Sequence, residues 1–274
     1  MSSNPTDPSE NESFQRLLAH LERELDFESS YYNESYLDRR ISARMRRQGV
    51  DDYEAYLDVV RADPEEPTAL LDSLSINVTS FYRNPEAWEP IREVLREVTA
   101  DRGEATVWSA PCSDGREPYS LAMLALDDDE ITARRLRILG TDINADVLER
   151  ARRGVYETTK TRDVAAELEP LDDAEKYVDR DGDTFSVRDE VKSLVEFEQH
   201  DLIADEPKRG IDLVLCRNLL IYINTESKRA VVETVLSSLR KGGYLVIGMT
   251  ETLPRASRSG VETVDKRRRV YQLE

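Results

Sequence analysis

The run Val107-Trp108-Ser109-Ala110-Pro111-Cys112-Ser113-Asp114-Gly115-Arg116-Glu117-Pro118-Tyr119-Ser120 carries an apolar strand into a small-residue turn and then into an acidic helix start. In doubly wound α/β proteins, such a junction at the carboxyl edge of the sheet leaves a crevice where strand carbonyls and free helix N–H groups can hold a nucleotide-like group. The turn has a single glycine, Gly115, so neither G-x-G-x-x-G nor the Walker pattern is present, and no Lys follows to hold a phosphate. Glu117, just inside the helix, suits the positive end of the helix dipole, repels a pyrophosphate and attracts a cation. The chemistry expected here is binding of an adenosine-bearing, positively charged ligand. Taken alone, a Ser-Asp-Gly turn is also ordinary structural punctuation.

Three further segments bring polar residues to strand ends. Asp142 ends a predicted strand in Leu139-Gly140-Thr141-Asp142-Ile143-Asn144, where a carboxylate can accept hydrogen bonds from both hydroxyls of a ribose. It also suits the N-cap of the following helix, a role that Asp142 and Asn144 can divide between them. In Cys216-Arg217-Asn218-Leu219-Leu220-Ile221-Tyr222 the strand end places Arg217 and Asn218 at the crevice, with Tyr222 able to reach back; a helix cap followed by a core aromatic reads the same way. Asn77-Val78-Thr79-Ser80-Phe81-Tyr82-Arg83-Asn84 alternates polar Asn77, Thr79 and Arg83 with large apolar groups, as a strap closing the crevice would.

The elements that must position these residues follow from periodicity. After a disordered leader over 1–12, Phe14, Leu17, Leu18, Leu21 and Leu25 predict a helix over 13–27. A second is expected over 34–48, where Ile41 and Met45 form the apolar side and Arg39, Arg40, Arg44, Arg46 and Arg47 a basic band before the Gly49 stop. Helices over 52–62 and 67–75 complete a helical domain over 13–76, and a linker strap and helix fill 77–104. From 105 to 274 predicted strands (106–111, 136–141, 194–198, 211–216, 244–248) alternate with helices (117–126, 145–153, 227–239). That alternation predicts a doubly wound α/β fold with a mostly parallel sheet, closed by an antiparallel strand over 269–273. The rhythm breaks over about 155–193, where Asp181-Gly182 signals a hairpin, so a small inserted β-rich subdomain is expected.

Composition bounds the partners. A net charge of −18 over 274 residues argues against nucleic acid or an anionic membrane surface, both polyanions. Lys occurs only at 160, 176, 192, 208, 228, 241 and 266 amid abundant carboxylates, a balance that resembles proteins of a halophilic organism's salt-rich cytoplasm, though a merely acidic mesophilic chain reads alike. No apolar run approaches a membrane-spanning length, and the N-terminus is polar with no secretory apolar region, so a cytoplasmic protein without direct membrane insertion is expected. The two cysteines, Cys112 and Cys216, both follow predicted strands and read as reduced core thiols, with no metal site expected.

In order, spacing and identity, Asn77–Arg83, Pro111–Ser120, Thr141-Asp142-Ile143, Cys216–Tyr222, Gly242-Gly243-Tyr244-Leu245 and Gly248-Met249-Thr250-Glu251-Thr252-Leu253 resemble the chemotaxis-receptor glutamate O-methyltransferases of the CheR type. The chain departs from the family pattern at Val78 (an acid), at Pro111 (a small residue) and at Arg116 (a Glu). The resemblance implies an S-adenosylmethionine-dependent methyltransferase fold and γ-glutamyl methyl ester formation on methyl-accepting chemotaxis receptor cytoplasmic domains, with S-adenosylhomocysteine as product. It implies cofactor contacts from Asn77, Thr79, Arg83, Glu117, Asp142, Asp201, Leu202, Arg217 and Asn218, and placement of the substrate carboxylate by Arg83 and Tyr222. The Arg39–Arg47 band becomes a docking face for a carboxylate-rich receptor helix, or else a solvated helix face. Pro111 and Arg116 motivate the rival reading, a non-catalytic signalling module on the same scaffold.

Overall fold

In a computed structural model, which describes residues 8–25, 27–74, 79–100 and 103–274, the chain divides into two units: residues 1–77 with 222–227, and residues 78–221 with 228–274. The helical unit contains α1 (Pro8–Leu25), α2 (Glu34–Gln48), α3 (Tyr53–Ala62) and α4 (Glu66–Leu74). α1 begins at Pro8, ahead of the start expected from apolar spacing; proline at the first helical position gives up no hydrogen bond, so the helix can start there before its apolar stripe begins. The α2 stop is as expected: Gly49 adopts φ 71° and its N–H caps the Met45 and Arg46 carbonyls. Leu17, Leu21, Leu37, Ile41, Leu70 and Leu74 are buried in the core of this unit.

One member of the predicted basic band is spent inside this unit. Arg44 Nε donates to Glu66 Oε1 at 2.9 Å, its Nη2 pairs with Glu66 Oε2, and Gln48 and Tyr56 also donate to the same buried carboxylate. Burial pushes the Glu66 carboxyl up, but the hydrogen bonds from Arg44, Tyr56 and Gln48 outweigh it and hold it below its ordinary range. Arg44 is therefore a structural cation and not part of a docking face; helical spacing cannot reveal a buried acid contributed by another helix. Arg39, Arg46 and Arg47 are exposed, while half-buried Arg40 lies 5.6 Å from the Tyr36 ring centroid.

The second unit is built on a seven-stranded sheet of β1 (Ala105–Ser109), β2 (Leu136–Asp142), β6 (Val195–Gln199), β7 (Ile211–Cys216), β8 (Leu239–Ile247), β9 (Val261–Asp265) and β10 (Val270–Leu273), in the order β6-β2-β1-β7-β8-β10-β9. The first five in that order run parallel and β10 is antiparallel to both of its neighbours. All six residues of β7 are buried, as helices on both faces require. α6 (Arg116–Asp127), α7 (Ala145–Arg153) and α10 (Thr225–Ser238) follow β1, β2 and β7, and α5 (Trp88–Ala100) precedes β1. Strand order reverses between β1 and β7, which makes the carboxyl ends of β1, β2 and β7 the switch-point crevice.

Two features of this sheet differ from the sequence expectation. β9 lies between the strands expected over 244–248 and 269–273, where none was expected: its Val-Glu-Thr-Val-Asp residues are mostly exposed, so no burial alternation marks a strand that is held by backbone pairing to β10. β8 starts at Leu239, ahead of the strand expected over 244–248, and its pairing with β7 is irregular between Leu239 and Tyr244. The insert is as expected a small antiparallel sheet, β3 (Val155–Glu157), β5 (Thr184–Val187) and β4 (Val178–Asp181) in that order, with α8 (Val164–Glu167) and α9 (Asp189–Lys192) beside it. Among the described residues, no helix is long and apolar enough to cross a membrane.

Candidate functional site

The turn between β1 and α6 is shaped by backbone conformations that few residues tolerate. Ser113 adopts φ 49° and Gly115 φ 88°, and a side chain at Gly115 would come within 2.8 Å of the Ala151 Cβ and 3.0 Å of the Phe197 ring. The turn is tied to β2, since Cys112 N–H donates to the Thr141 carbonyl at 2.7 Å and Ser113 N–H to Asp142 Oδ2 at 2.9 Å. Asp142 Oδ1 accepts from Asn144 N–H at 3.0 Å, while the Asn144 side chain caps α7 through the Asp146 and Val147 N–H groups. Asn144 thus takes the capping role and frees Asp142 for the crevice. Burial pushes the Asp142 carboxyl up, opposed by the Asn144, Ser113 and Ile143 N–H groups. Each oxygen of this carboxylate has capacity for another donor.

Across the switch point, Arg217 reaches back to β1 and α6. Its Nη1 donates to Glu117 Oε2 at 2.9 Å, and Ser109 Oγ donates to Glu117 Oε1 at 2.8 Å. Arg217 Nη2 donates at 2.7 Å to the backbone carbonyl of Arg83, which also accepts from Trp88 Nε1 at 3.1 Å. The Arg217 side chain is 1% exposed and that of Glu117 14%, so the pair interacts in a largely water-free setting. Sequence reading of Glu117 alone did not reveal this partner: its charge is paired with that of Arg217.

The Cys216–Ile221 loop that carries Arg217 is held by an acid to which sequence reading gave no role. Glu251 is 2% exposed, and it accepts N–H groups from Gly248 at 2.6 Å, Asn218 at 3.0 Å and Ile221 at 3.3 Å. Asn218 adopts φ 62°, a conformation that Asn tolerates better than most residues. The G-x-x-E spacing in Gly248–Glu251 was the available signal.

The remaining expected residues are distributed as follows. Asp201 Oδ1 accepts the Ile203 and Ala204 N–H groups, which shapes the loop after β6, and Leu202 is buried beside it. Thr79 and Arg83 line a cleft of about 890 Å³ whose other wall includes Arg162, Glu167 and Pro170 of the insert; Glu117, Asp142 and Arg217 are not among its lining residues. Arg83 thus meets Arg217 through its carbonyl and is itself among the residues that line this cleft. Tyr222 belongs to the helical unit, its ring 5.0 Å from that of Tyr36. Asn77 lies outside the described residues. Cys112 and Cys216 are buried and form no disulfide, and burial pushes both thiols up.

Residues 77–270 match the model of the CheR methyltransferase SAM-binding domain, and residues 12–75 match that of the CheR methyltransferase all-alpha domain. The chain belongs to the CheR methyltransferase family. A chemotaxis protein methyltransferase of Listeria monocytogenes is 32% identical over 250 residues, covering 89% of this chain and 92% of that protein. Chemotaxis protein methyltransferase 2 of Vibrio cholerae is 30% identical over 232 residues, covering 81% and 79%. A 104.1 kDa protein of Rhodobacter capsulatus is 32% identical over 247 residues, which cover 88% of this chain and 25% of that longer protein.

As a CheR methyltransferase, the chain takes S-adenosylmethionine as its cofactor. The donor and acceptor set in the crevice fits that molecule. Asp142 has spare acceptor capacity of the kind a ribose diol uses, and the Glu117–Arg217 pair holds charges of both signs, as a zwitterionic amino-acid tail does. Beside Asp142, Ser113 Oγ and His200 Nδ1 are buried polar atoms with no protein partner among the described residues. His200 donates its backbone N–H to the Asp142 carbonyl at 3.1 Å, and its ring meets Trp108 edge-on at 5.4 Å. Sequence reading gave neither residue a role, because a buried unpaired atom has no signal in residue type.

Proposed function

We propose that this methyltransferase esterifies glutamate side chains on the cytoplasmic domains of methyl-accepting chemotaxis receptors. The observation that carries this reading is that the match runs through both family domains and spans 92% of a relative named as a chemotaxis protein methyltransferase. A glutamate of pKa about 4.3 is ionised near neutral pH, so a carboxylate oxygen attacks the sulfonium methyl carbon without a general base. The new C–O bond forms as the C–S bond breaks, and its electron pair leaves with sulfur. When bound, the cofactor supplies the electrophilic methyl group; the protein supplies alignment and exclusion of water.

In this reading Asp142 holds the ribose, Glu117 and Arg217 face the amino-acid tail, Asp201 and Leu202 flank the adenine with Asn218 adjoining, and Thr79 contacts the cofactor. Arg83 places the acceptor carboxylate. The test is transfer of radiolabelled methyl groups to receptor cytoplasmic domains: label released by alkali is the expected result, and alkali-stable label or none overturns the reading. In the same assay Arg83→Ala is expected to lose at least about 100-fold in turnover. The Arg83 carbonyl that holds Arg217 and Trp88 survives in alanine, so Tm should stay within about 2 °C; full turnover would remove Arg83 from the mechanism.

The exposed cations Arg39, Arg46 and Arg47, with half-buried Arg40, are proposed to dock a carboxylate-rich receptor helix. Arg46→Glu combined with Arg47→Glu should raise the receptor KM about tenfold at low salt and much less at high salt, with kcat unchanged. An unaltered KM at low salt would return this face to the role of a solvated helix surface.

A further inference from the structure

Arg116 stands where the family pattern has a glutamate, and it is 3% exposed. Two carboxylates meet it: Asp114 Oδ2 lies 2.5 Å from its Nη1 and Glu167 Oε2 lies 3.6 Å from its Nε. Its guanidinium lies 4.5 Å from the Tyr156 ring centroid and 5.7 Å from that of Phe81. These partners come from separate parts of the unit: the β1–α6 turn, α8 and β3 of the insert, and the 79–84 strap. Tyr156 Oη also donates to the Asp114 carbonyl at 2.7 Å, and Glu167 Oε2 accepts the Phe81 N–H at 2.9 Å. One residue further along the strap, Tyr82 N–H donates at 3.1 Å to Ser120 Oγ, which itself donates to the Arg116 carbonyl at 2.7 Å.

The strap needs such fixation. Tyr82 and Asn84 have φ of 47° and 58°, in the left-handed region that non-glycine residues populate only when their surroundings hold them there. Arg83 lies between them and offers its carbonyl to Arg217. Burial pushes the Asp114 carboxyl up, with Arg116 and Arg162 opposing it. It also pushes Glu167 up, opposed by the Phe81 N–H, Arg116 and Arg162, with Asp114 adding to the rise. Arg162 Nε is 3.7 Å from Glu167 Oε1, so Glu167 has a second cation, and Arg116 is in direct contact with Asp114.

We infer that Arg116 is a positioning residue that latches the strap and the insert onto the cofactor turn, and that it thereby sets cofactor affinity through the Arg83 carbonyl and Arg217. A glutamate at this position would face two carboxylates and could not form the latch, so Asp114, Arg116 and Glu167 act as a set. The inference rests on the reading that the strap borders the cofactor, and not on which substrate accepts the methyl group.

The test is a double-mutant cycle of Arg116→Met, Glu167→Gln and the pair, each read by hydrogen exchange at the Phe81 and Tyr82 amides and by calorimetric binding of S-adenosylhomocysteine. Gln at 167 keeps an oxygen for the Phe81 N–H. Arg116→Met should lose about tenfold in amide protection and in affinity. The double variant should lose little more than Arg116→Met alone, as coupled partners do, and Arg116→Lys should recover part of both. Unchanged protection in Arg116→Met, or fully additive losses, would overturn the latch. Lost protection with unchanged affinity would overturn its link to the cofactor. Neither of these results bears on whether alkali-labile label reaches a receptor, so this inference and the proposed function fail separately.

Discussion

Arg217→Met should weaken S-adenosylhomocysteine binding by about 100-fold, the equivalent of about 3 kcal/mol. The side chain joins two parts of the site through one guanidinium, with Glu117 on one nitrogen and the Arg83 carbonyl on the other. Its removal leaves the Glu117 carboxylate, 14% exposed, without that partner, and releases the strap carbonyl from its charged donor. Arg217→Lys should rescue little, because a single ammonium on a flexible stem cannot reproduce a fork that spans both acceptors. Arg217→Met combined with Glu117→Gln separates the two consequences: it removes the uncompensated charge, so thermal stability should return while affinity stays low. If calorimetry found Arg217→Met within threefold of the parent affinity, the pair would be a structural tie and not part of the cofactor site.

The parts of this site that were legible in the sequence are those where residue type alone limits the chemistry. Asp142 at the end of an apolar strand and Arg217 at the end of another stand at the switch-point edge because strand ends are marked by the change from buried apolar to polar residues. The division of roles between Asp142 and Asn144 followed from the same pattern, since a helix N-cap must sit one residue before the first helical residue and Asn144 is that residue. Partnerships across the fold were not legible. That Glu117 is neutralised by a residue 100 positions away, or that Arg44 is consumed by Glu66, depends on which helices and strands become neighbours. β9 was missed for a related reason: an edge strand held by backbone hydrogen bonds needs no alternation of buried side chains to exist.

A chain of tertiary supports links these observations. The crevice is lined by residues that are themselves held in place by groups with no direct part in the chemistry: Asn144 frees Asp142, Arg116 bears on the strap, and Glu251 bears on the loop that carries Arg217. Among the described residues, four of the five non-glycine residues with positive φ, Ser113, Tyr82, Asn84 and Asn218, occur in the segments these supports hold. Backbone strain of this kind persists only where neighbouring contacts over-determine it. The departure at Arg116 is thereby matched by local partners in Asp114 and Glu167.

The strongest of these supports is also the easiest to break. Gly248→Ala is expected to destabilise the methyltransferase unit by about 3 kcal/mol, through overpacking and the loss of buried hydrogen bonds, which for a unit of this size is roughly 10 °C in Tm. A Cβ at Gly248 would lie 2.5 Å from Glu251 Oε2, 2.9 Å from its Cδ and 3.0 Å from the Asn218 nitrogen. The carboxylate cannot simply swing away, because the Gly248, Asn218 and Ile221 N–H groups all donate to it. Displacing it strands those donors in a buried setting, and the Asn218 backbone loses a contact that holds φ at 62°. Glu251→Gln offers a graded comparison. It keeps one oxygen but turns an NH₂ toward a backbone donor, so it should cost less than Gly248→Ala yet still weaken S-adenosylhomocysteine binding by freeing Arg217. Chemical denaturation of both variants, with cofactor binding measured well below their midpoints, checks the argument. Parent-like stability in Gly248→Ala would mean that the Glu251 carboxylate has another place to go, and the account of how the Arg217 loop is held would fall with it.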